Sequence, residues 1–424
     1  MCEHVNADAR SVLSTELRLS NGVVLSNRLA KAATSEHLAD RRGAPTRQLI
    51  RAYQQLAMSG VGLMISGNVM IDGAALEGAR NVVIEDGRHL EQLRAWASVT
   101  DGTPVRFLLQ LSHPGRQTMR GHSVAGRAHD VVSASAVPLT VGGRLFPAPR
   151  ELTDAEVGIV IERFATAARV AAQAGFAGVE LHAAHGYLIS QFLSPLVNRR
   201  TDQWGGSIEH RMRFLLEIVR AVRAATPASF ILAVKLNSAD FQRGGFASDD
   251  ALVVARALER EGVHLIELSG GTHESTAMVD GAPIRESTRA REAYFLTFAE
   301  RFAREVTVPL MVSGGFRTRT AMIDAVCGGS VAVVGLARPI AHEPDFPRRI
   351  LAGTTERSRA QIPSVGIKPV DDLLNSAWHQ QQIARLGRGK PVRPNRRPTV
   401  ALAIALLTNA RDIIATRFPY SLSR

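Results

Sequence analysis

Short apolar, β-branched runs alternate along the chain with longer stretches whose apolar residues return every three or four positions. That alternation is expected of βα units closing into a parallel barrel. Eight runs read as strands: Leu29–Ala33, Gly62–Ser66, Val105–Leu111, Gly178–His182, Ile231–Leu236, Leu265–Leu268, Leu310–Ser313 and Val331–Gly335. Helices are predicted between them at Asp154–Ala174, Glu209–Ala225, Asp249–Glu261, Arg289–Arg304 and Arg319–Cys327. Ile159, Phe164, Ala167, Val170 and Ala171 outline the buried stripe of the first of these helices. Thr153 ahead of Asp154 and Glu156, and Ser207 ahead of Glu209, offer a side-chain cap with an acid near the positive helix end. The fold class is α/β, a (β/α)8 TIM barrel with a helical C-terminal extension.

The stretch His113–Arg150 is too long for an ordinary turn and reads as a loop excursion over one barrel mouth. Beyond Gln361 the βα rhythm stops. A helix-like segment at Asp371–Leu386 leads into a Pro- and Arg-rich linker, Gly387–Pro398, and a final piece, Thr399–Phe418. The apolar run of that piece is shorter than the roughly 20 residues that span a bilayer. It reads as a docking helix, with an oligomer contact or a peripheral membrane contact as the alternative. The expected division is a barrel over 1–360, with its excursion at 113–150, and an extension over 361–424.

Composition narrows the function. With 424 residues and 45% hydrophobic content the chain can bury one large core. The net charge of +12 draws on Arg385, Arg388, Lys390, Arg393, Arg396 and Arg397, grouped in one tail segment. No aromatic-studded basic stripe or zinc-finger spacing accompanies them, which argues against a nucleic-acid partner and for a basic pocket that takes an anionic cofactor. Two cysteines, Cys2 and Cys327, are too few for a disulfide framework, a four-cysteine iron–sulfur cluster or a zinc ribbon, and favour a reducing compartment. Met1–Arg18 carries Glu3, Asp8 and Glu16 and lacks an apolar signal region, so a cytoplasmic location is expected.

The chemistry concentrates where the fourth strand ends. His182, His185 and Tyr187 in GVELHAAHGYLISQFLSP can converge on one small pocket. Two imidazoles there can polarise a carbonyl and a phenol can deliver a proton. An H-x-x-H pair is also a common hydrogen-bonded structural pair. A metal site, as in a barrel hydrolase, would need further ligands, and none is expected. Gly314, Gly315 and Gly335, after strands seven and eight, let backbone N–H groups approach phosphate oxygens, with Arg338 adding charge.

Seven ordered segments fall at successive predicted strands: NRLAKAATSEHLAD, QLSHPGR, GVELHAAHGYLISQFLSP with NRRTDQWGGS, VKLNSADF, ELSGGT, SGGFRT and VGLARPIAHEPDFP. On these segments the chain resembles the Old Yellow Enzyme family of FMN-dependent NAD(P)H:flavin oxidoreductases over Leu17–Leu351. The resemblance implies an ene-reductase: hydride passes from NADPH or NADH through FMN to an activated C=C bond of a small molecule. In that scheme His182 and His185 anchor the substrate oxygen and Tyr187 is the proton donor. It further implies flavin contacts from Ala32, Ala33, Thr34, Ser35, Gly67, Gln110 and Lys235, and phosphate contacts from Ser313, Gly314, Gly315, Gly335, Ala337 and Arg338. Ser35 stands where relatives carry Thr or Cys, Gly67 where many carry Ala, and Ser112 where Trp is common, so substrate shape does not carry over. The alternative on the same barrel is an amine or N-methyl oxidoreductase, or an NAD(P)H oxidase. His113 reads equally as a pocket residue or a loop hydrogen-bonding residue, whereas Trp204, Trp378, Arg199, Gly205 and Gly206 read as architectural.

Overall fold

The computed structural model describes residues 12–124, 127, 130–271, 274, 295–360, 368–393, 399–400, 402–404 and 407. All eight expected strands form: β1 Leu29–Lys31, β2 Leu63–Met70, β3 Arg106–Ser112, β4 Gly178–Ala183, β5 Ile231–Asn237, β6 Leu265–Ser269, β7 Leu310–Ser313 and β8 Val333–Leu336. Every neighbouring pair is parallel. β8 pairs back on β1, with Val334 opposite Leu29, and this closes the barrel.

Alternation along the strands builds the interior in layers, because residues two apart share a face. Ala30, Leu63, Leu108, Ala233, Leu265, Met311 and Val333 pack with Leu19 and Leu25 as a dry floor. Two residues further on, Gln110, Glu180, Lys235, Glu267 and Ser313 form a polar layer in which Lys235 and Ser313 donate to Glu267 and Gln110 donates to Glu180. One more step up, Asn237 and Ser269 reach the carboxyl ends of the strands. Barrels of this type place their chemistry at that mouth.

The principal helices are α1 Arg47–Ala57, α2 Asp154–Ala174, α3 Leu188–Leu193, α4 Arg213–Ala225, α5 Ser248–Arg260, α6 Arg319–Cys327, α7 Arg338–His342 and α8 Lys368–Gly387. α2 starts with the expected cap as a full capping box of Thr153 and Glu156, and stops at Gly175, whose φ is 97°. Its buried face runs through Val157, Val160, Phe164, Ala167, Ala168 and Ala171. Ile159 is 53% exposed, contrary to the expected stripe, because it lies off that three-and-four spacing. The helix expected over Glu209–Ala225 is split: a turn at Ile208–Arg211 precedes α4. Ser207 occupies the cap position without a side-chain bond to the helix backbone. Of the predicted Arg289–Arg304, Leu296–Phe302 is helical and Arg289–Tyr294 lies outside the described residues.

In the extension, α8 contains the predicted Asp371–Leu386. It lies against α1, where Gln48 Nε2 donates to Ala384 O at 3.0 Å, and against α7, where the Trp378 and His342 rings are 3.9 Å apart. Most of the predicted Thr399–Phe418 lies outside the described residues. Among the described residues no helix is long and apolar enough to cross a membrane.

Candidate active site

His182, near the end of β4, is buried, and its Nδ1 accepts from Ala184 N at 3.3 Å. The chain then leaves the strand through two consecutive left-handed residues, His185 at φ 60° and Gly186 at φ 76°. Such a φ is uncommon for a residue with a side chain and persists only where the surroundings enforce it. Three contacts do so here. His185 N donates to Asn237 Oδ1 at 3.2 Å, its carbonyl accepts from Gln117 Nε2 at 2.9 Å, and its Nε2 lies 2.7 Å from Ser269 Oγ. The turn delivers Tyr187 beside His182, with ring centroids 4.7 Å apart, and sets His185 at 5.1 Å on the same imidazole. The three rings expected to converge therefore do.

The electrostatics depend on a residue that the sequence pattern does not mark. Glu77, on the loop after β2, accepts from Tyr187 Oη at 3.0 Å and from Ser35 Oγ at 2.6 Å, and lies 3.2 Å from His37 Nε2. Burial, then the charge of Glu77, pushes the Tyr187 phenol well above its ordinary range, so it is protonated at neutral pH. Burial alone would raise the Glu77 carboxyl. The hydrogen bond and charge of His37, with Ser35 and Asn68, overcome it and hold the group well below the usual carboxylate range.

The residues expected at the cofactor fall into three groups. Ala32 N donates to Leu336 O at 3.0 Å as the last rung between β1 and β8, and Thr34 Oγ1 donates to Ala32 O at 3.4 Å. Ala33 lies between them, and Ser35 turns toward Glu77. At the bulge in β2, Gly67 N donates to Glu36 Oε1 at 2.9 Å, and a Cβ on Gly67 would lie 2.5 Å from Thr34 O, so any side chain would force a shift. The second group points into the barrel. Gln110 Nε2 donates to Glu180 Oε2 at 2.6 Å, Lys235 Nζ pairs with Glu267 at 2.8 Å, and Ser313 Oγ donates to Glu267. Burial and the Glu267 charge raise the Glu180 carboxyl well above the carboxylate range, whereas Lys235 draws Glu267 below it against its own burial. The third group follows β7 and β8. Gly314 and Gly315 have φ of 103° and 91°, which leaves no side chain between the backbone and an approaching anion. Gly335 stays in the ladder opposite Ser313 and Ala30, and Ala337 caps α7 ahead of Arg338.

This donor set fits FMN. Lys235 and Arg338 supply positive charge and Gly314–Gly315 an open backbone, while the buried Asn68 Oδ1 at the mouth has no acceptor bond within the protein and suits a ring N–H. His113 is a loop residue: its Nδ1 accepts from Gly115 N at 3.0 Å and its Nε2 is 4.0 Å from Asp72. Among the described residues no group of three or more His, Cys, Asp or Glu side chains is arranged to hold a metal ion. Sequence reasoning missed Glu77, His37, Asn68 and Glu36. Of these, only Glu36 and His37 stand inside a quoted motif.

A mouth that joins an open glycine turn after β7 to a protonated phenol after β4 suits an enzyme with a phosphate-bearing cofactor. Over residues 16–357 the chain matches the NADH:flavin oxidoreductase / NADH oxidase family, and it belongs to that family. It is an NAD(P)H-dependent flavin oxidoreductase with FMN as cofactor. It is 36% identical over 411 residues to the NADH-dependent flavin oxidoreductase iccE of Talaromyces variabilis, covering 89% of this chain and 99% of that one. Among solved structures it is similar to 2-naphthoyl-CoA reductase in complex with 2-naphthoyl-CoA, with a TM-score of 0.74 and 26% identity over 81% of this chain and 52% of that chain. It shares the fold of the old yellow enzyme homologue from Zymomonas mobilis, with a TM-score of 0.67 and 22% identity over 82% of this chain and 94% of that chain.

Proposed function

We propose that this enzyme reduces an activated C=C bond, such as that of an α,β-unsaturated carbonyl compound, with Tyr187 as the proton donor. The observation that carries the reading is the phenol itself: buried, kept protonated, and edge-on to His182 with His185 behind it. FMN, when bound, would supply the two-electron chemistry that links NADH or NADPH to the alkene. His182 and His185 bind the substrate's carbonyl oxygen and draw charge from the β-carbon. Tyr187 then delivers its proton to the α-carbon. Ala32, Ala33, Thr34, Ser35, Gly67, Gln110 and Lys235 are assigned to the ring of the cofactor, and Ser313, Gly314, Gly315, Gly335, Ala337 and Arg338 to its phosphate. The same reading divides the chain into a barrel, 1–360, and an extension, 361–424, that docks on it, with self-association or a membrane surface as the alternative role of the extension.

The test is anaerobic reduction of the flavin by NADH and by NADPH, followed by mixing with a cyclic enone. Rapid reoxidation by the enone is expected. Flavin reoxidised by oxygen but by no activated alkene would leave an NAD(P)H oxidase or an amine oxidoreductase in its place.

A further inference from the structure

Glu77 joins the interior of the site to its rim. One carboxylate oxygen accepts from Tyr187 Oη at 3.0 Å, and the other lies 3.2 Å from His37 Nε2. Tyr187 is 6% exposed, whereas the His37 side chain is 22% exposed, so the contacts run from a buried phenol to a ring that meets solvent. The arrangement is enforced from several sides. His37 adopts φ 52°, and a Cβ on Gly78 would lie 2.6 Å from His37 Nε2, so the ring packs against the backbone next to Glu77. Asn81 closes the loop, accepting from Gly78 N at 3.0 Å and donating to Glu77 Oε1 at 3.3 Å. Ser35 Oγ donates to that same oxygen.

A phenol that gives its proton to carbon must regain one before the next turnover, and little of Tyr187 faces water. On the reading of Tyr187 as proton donor, we propose that Glu77 and His37 form the relay that re-protonates it from solvent. When the Tyr187 O–H bond breaks and the substrate C–H bond forms, Oη is left negative. The Nε2 proton of His37 moves to Glu77 Oε1, and rotation of the carboxyl group presents it to Oη, where the O–H bond re-forms. His37, now neutral, takes a proton from solvent. No electrons move, and one solvent proton is delivered per turnover. Glu77 and His37 touch no substrate and act only through Tyr187. Against the effect of burial, the hydrogen bond and charge of Glu77 raise His37 above its ordinary value, which favours the protonated imidazole from which the relay starts.

The experiment uses FMN-loaded enzyme with NADH and 2-cyclohexenone, in water and in deuterium oxide, following product per flavin. Glu77→Gln keeps the size and an acceptor but cannot carry a proton. It should give a burst of one product per flavin and then turnovers at least about tenfold slower, with an enlarged solvent isotope effect confined to the slow phase. In Glu77→Ala, added formate should restore the later turnovers. His37→Gln should show the same burst, and carries the test where a Glu77 variant folds poorly. Absence of a burst at an unaltered steady rate overturns the relay. A first turnover slowed as much as the later ones also overturns it, since Glu77 would then only orient the phenol. Tyr187→Phe run alongside separates the two ideas: an unaltered first turnover there removes the proton donor itself, whereas a slow one beside an unaltered Glu77→Gln removes only the relay.

Discussion

Tyr187→Phe isolates the proton from everything else the residue does. The ring stays: it packs 4.7 Å from the His182 ring, and that contact does not involve the hydroxyl. What is lost is the hydroxyl's hydrogen bonding to Glu77 and Asn68; Glu77 retains Ser35 at 2.6 Å, His37 at 3.2 Å and Asn81 at 3.3 Å. Removing a bond to a charged acceptor costs about 1.5–3 kcal/mol, so the variant should fold and hold FMN with a modestly lower melting temperature. Loss of a positioned general acid costs about 10²- to 10⁴-fold in rate, or about 3 to 5 kcal/mol of barrier. That loss should fall on the alkene half-reaction, because hydride transfer from nicotinamide to flavin needs no proton from the protein. Stopped-flow absorbance of the flavin measures both halves on one sample: bleaching by NADH or NADPH, then recovery on mixing with 2-cyclohexenone. Equal slowing of the two halves would refute the assignment, as would alkene reduction at the unaltered rate.

Three further outcomes follow from other parts of the molecule. The double variant His182→Ala, His185→Ala should weaken binding of phenols that mimic the enolate by about tenfold or more, read by spectroscopic titration, since two hydrogen bonds at about 0.5–1.5 kcal/mol each are removed; unchanged affinity would move the oxygen anchor elsewhere. Trp378→Ala, at a ring 1% exposed and 3.9 Å from His342, should destabilise the fold by about 3–5 kcal/mol in a denaturant titration, and an unmoved midpoint would contradict the docking of α8. Burial lowers His342 to about 3 and His379 to about 4 from a model-peptide value of 6.5, so the unfolded chain binds more protons than the native one between these values. Stability should therefore fall as pH drops from 6.5 toward 4, and His379→Gln should flatten part of that decline; a flat profile in the unaltered enzyme would show that neither imidazole is held neutral.

What could be read from the chain, and what could not, divides along a physical line. Wherever strand alternation sets a residue's environment, its place was legible. His182 two positions after Glu180 and Lys235 two after Ala233 face the barrel interior because a strand repeats every two residues, and all eight strands were found for the same reason. Tyr187 was legible through its short tether to β4. Ile159 was misplaced because three-and-four spacing admits neighbouring phases, and only the packing partner decides which face is buried. Glu77 was invisible for a stronger reason. Its partners Ser35 and Tyr187 lie 42 and 110 residues away, and it reaches them from an irregular loop in which no periodicity says which side chain turns inward. Yet once the strands are placed, the choice is narrow. A carboxylate on a loop leaving the carboxyl end of β2 has the same mouth beneath it as the residues leaving β1 and β4, and it can stay ionised at that depth only where donors surround it. Ser35, His37, Asn81 and Tyr187 are those donors. The charge that they stabilise in turn keeps the phenol protonated, so the loop residue and the strand-end residue set each other's state.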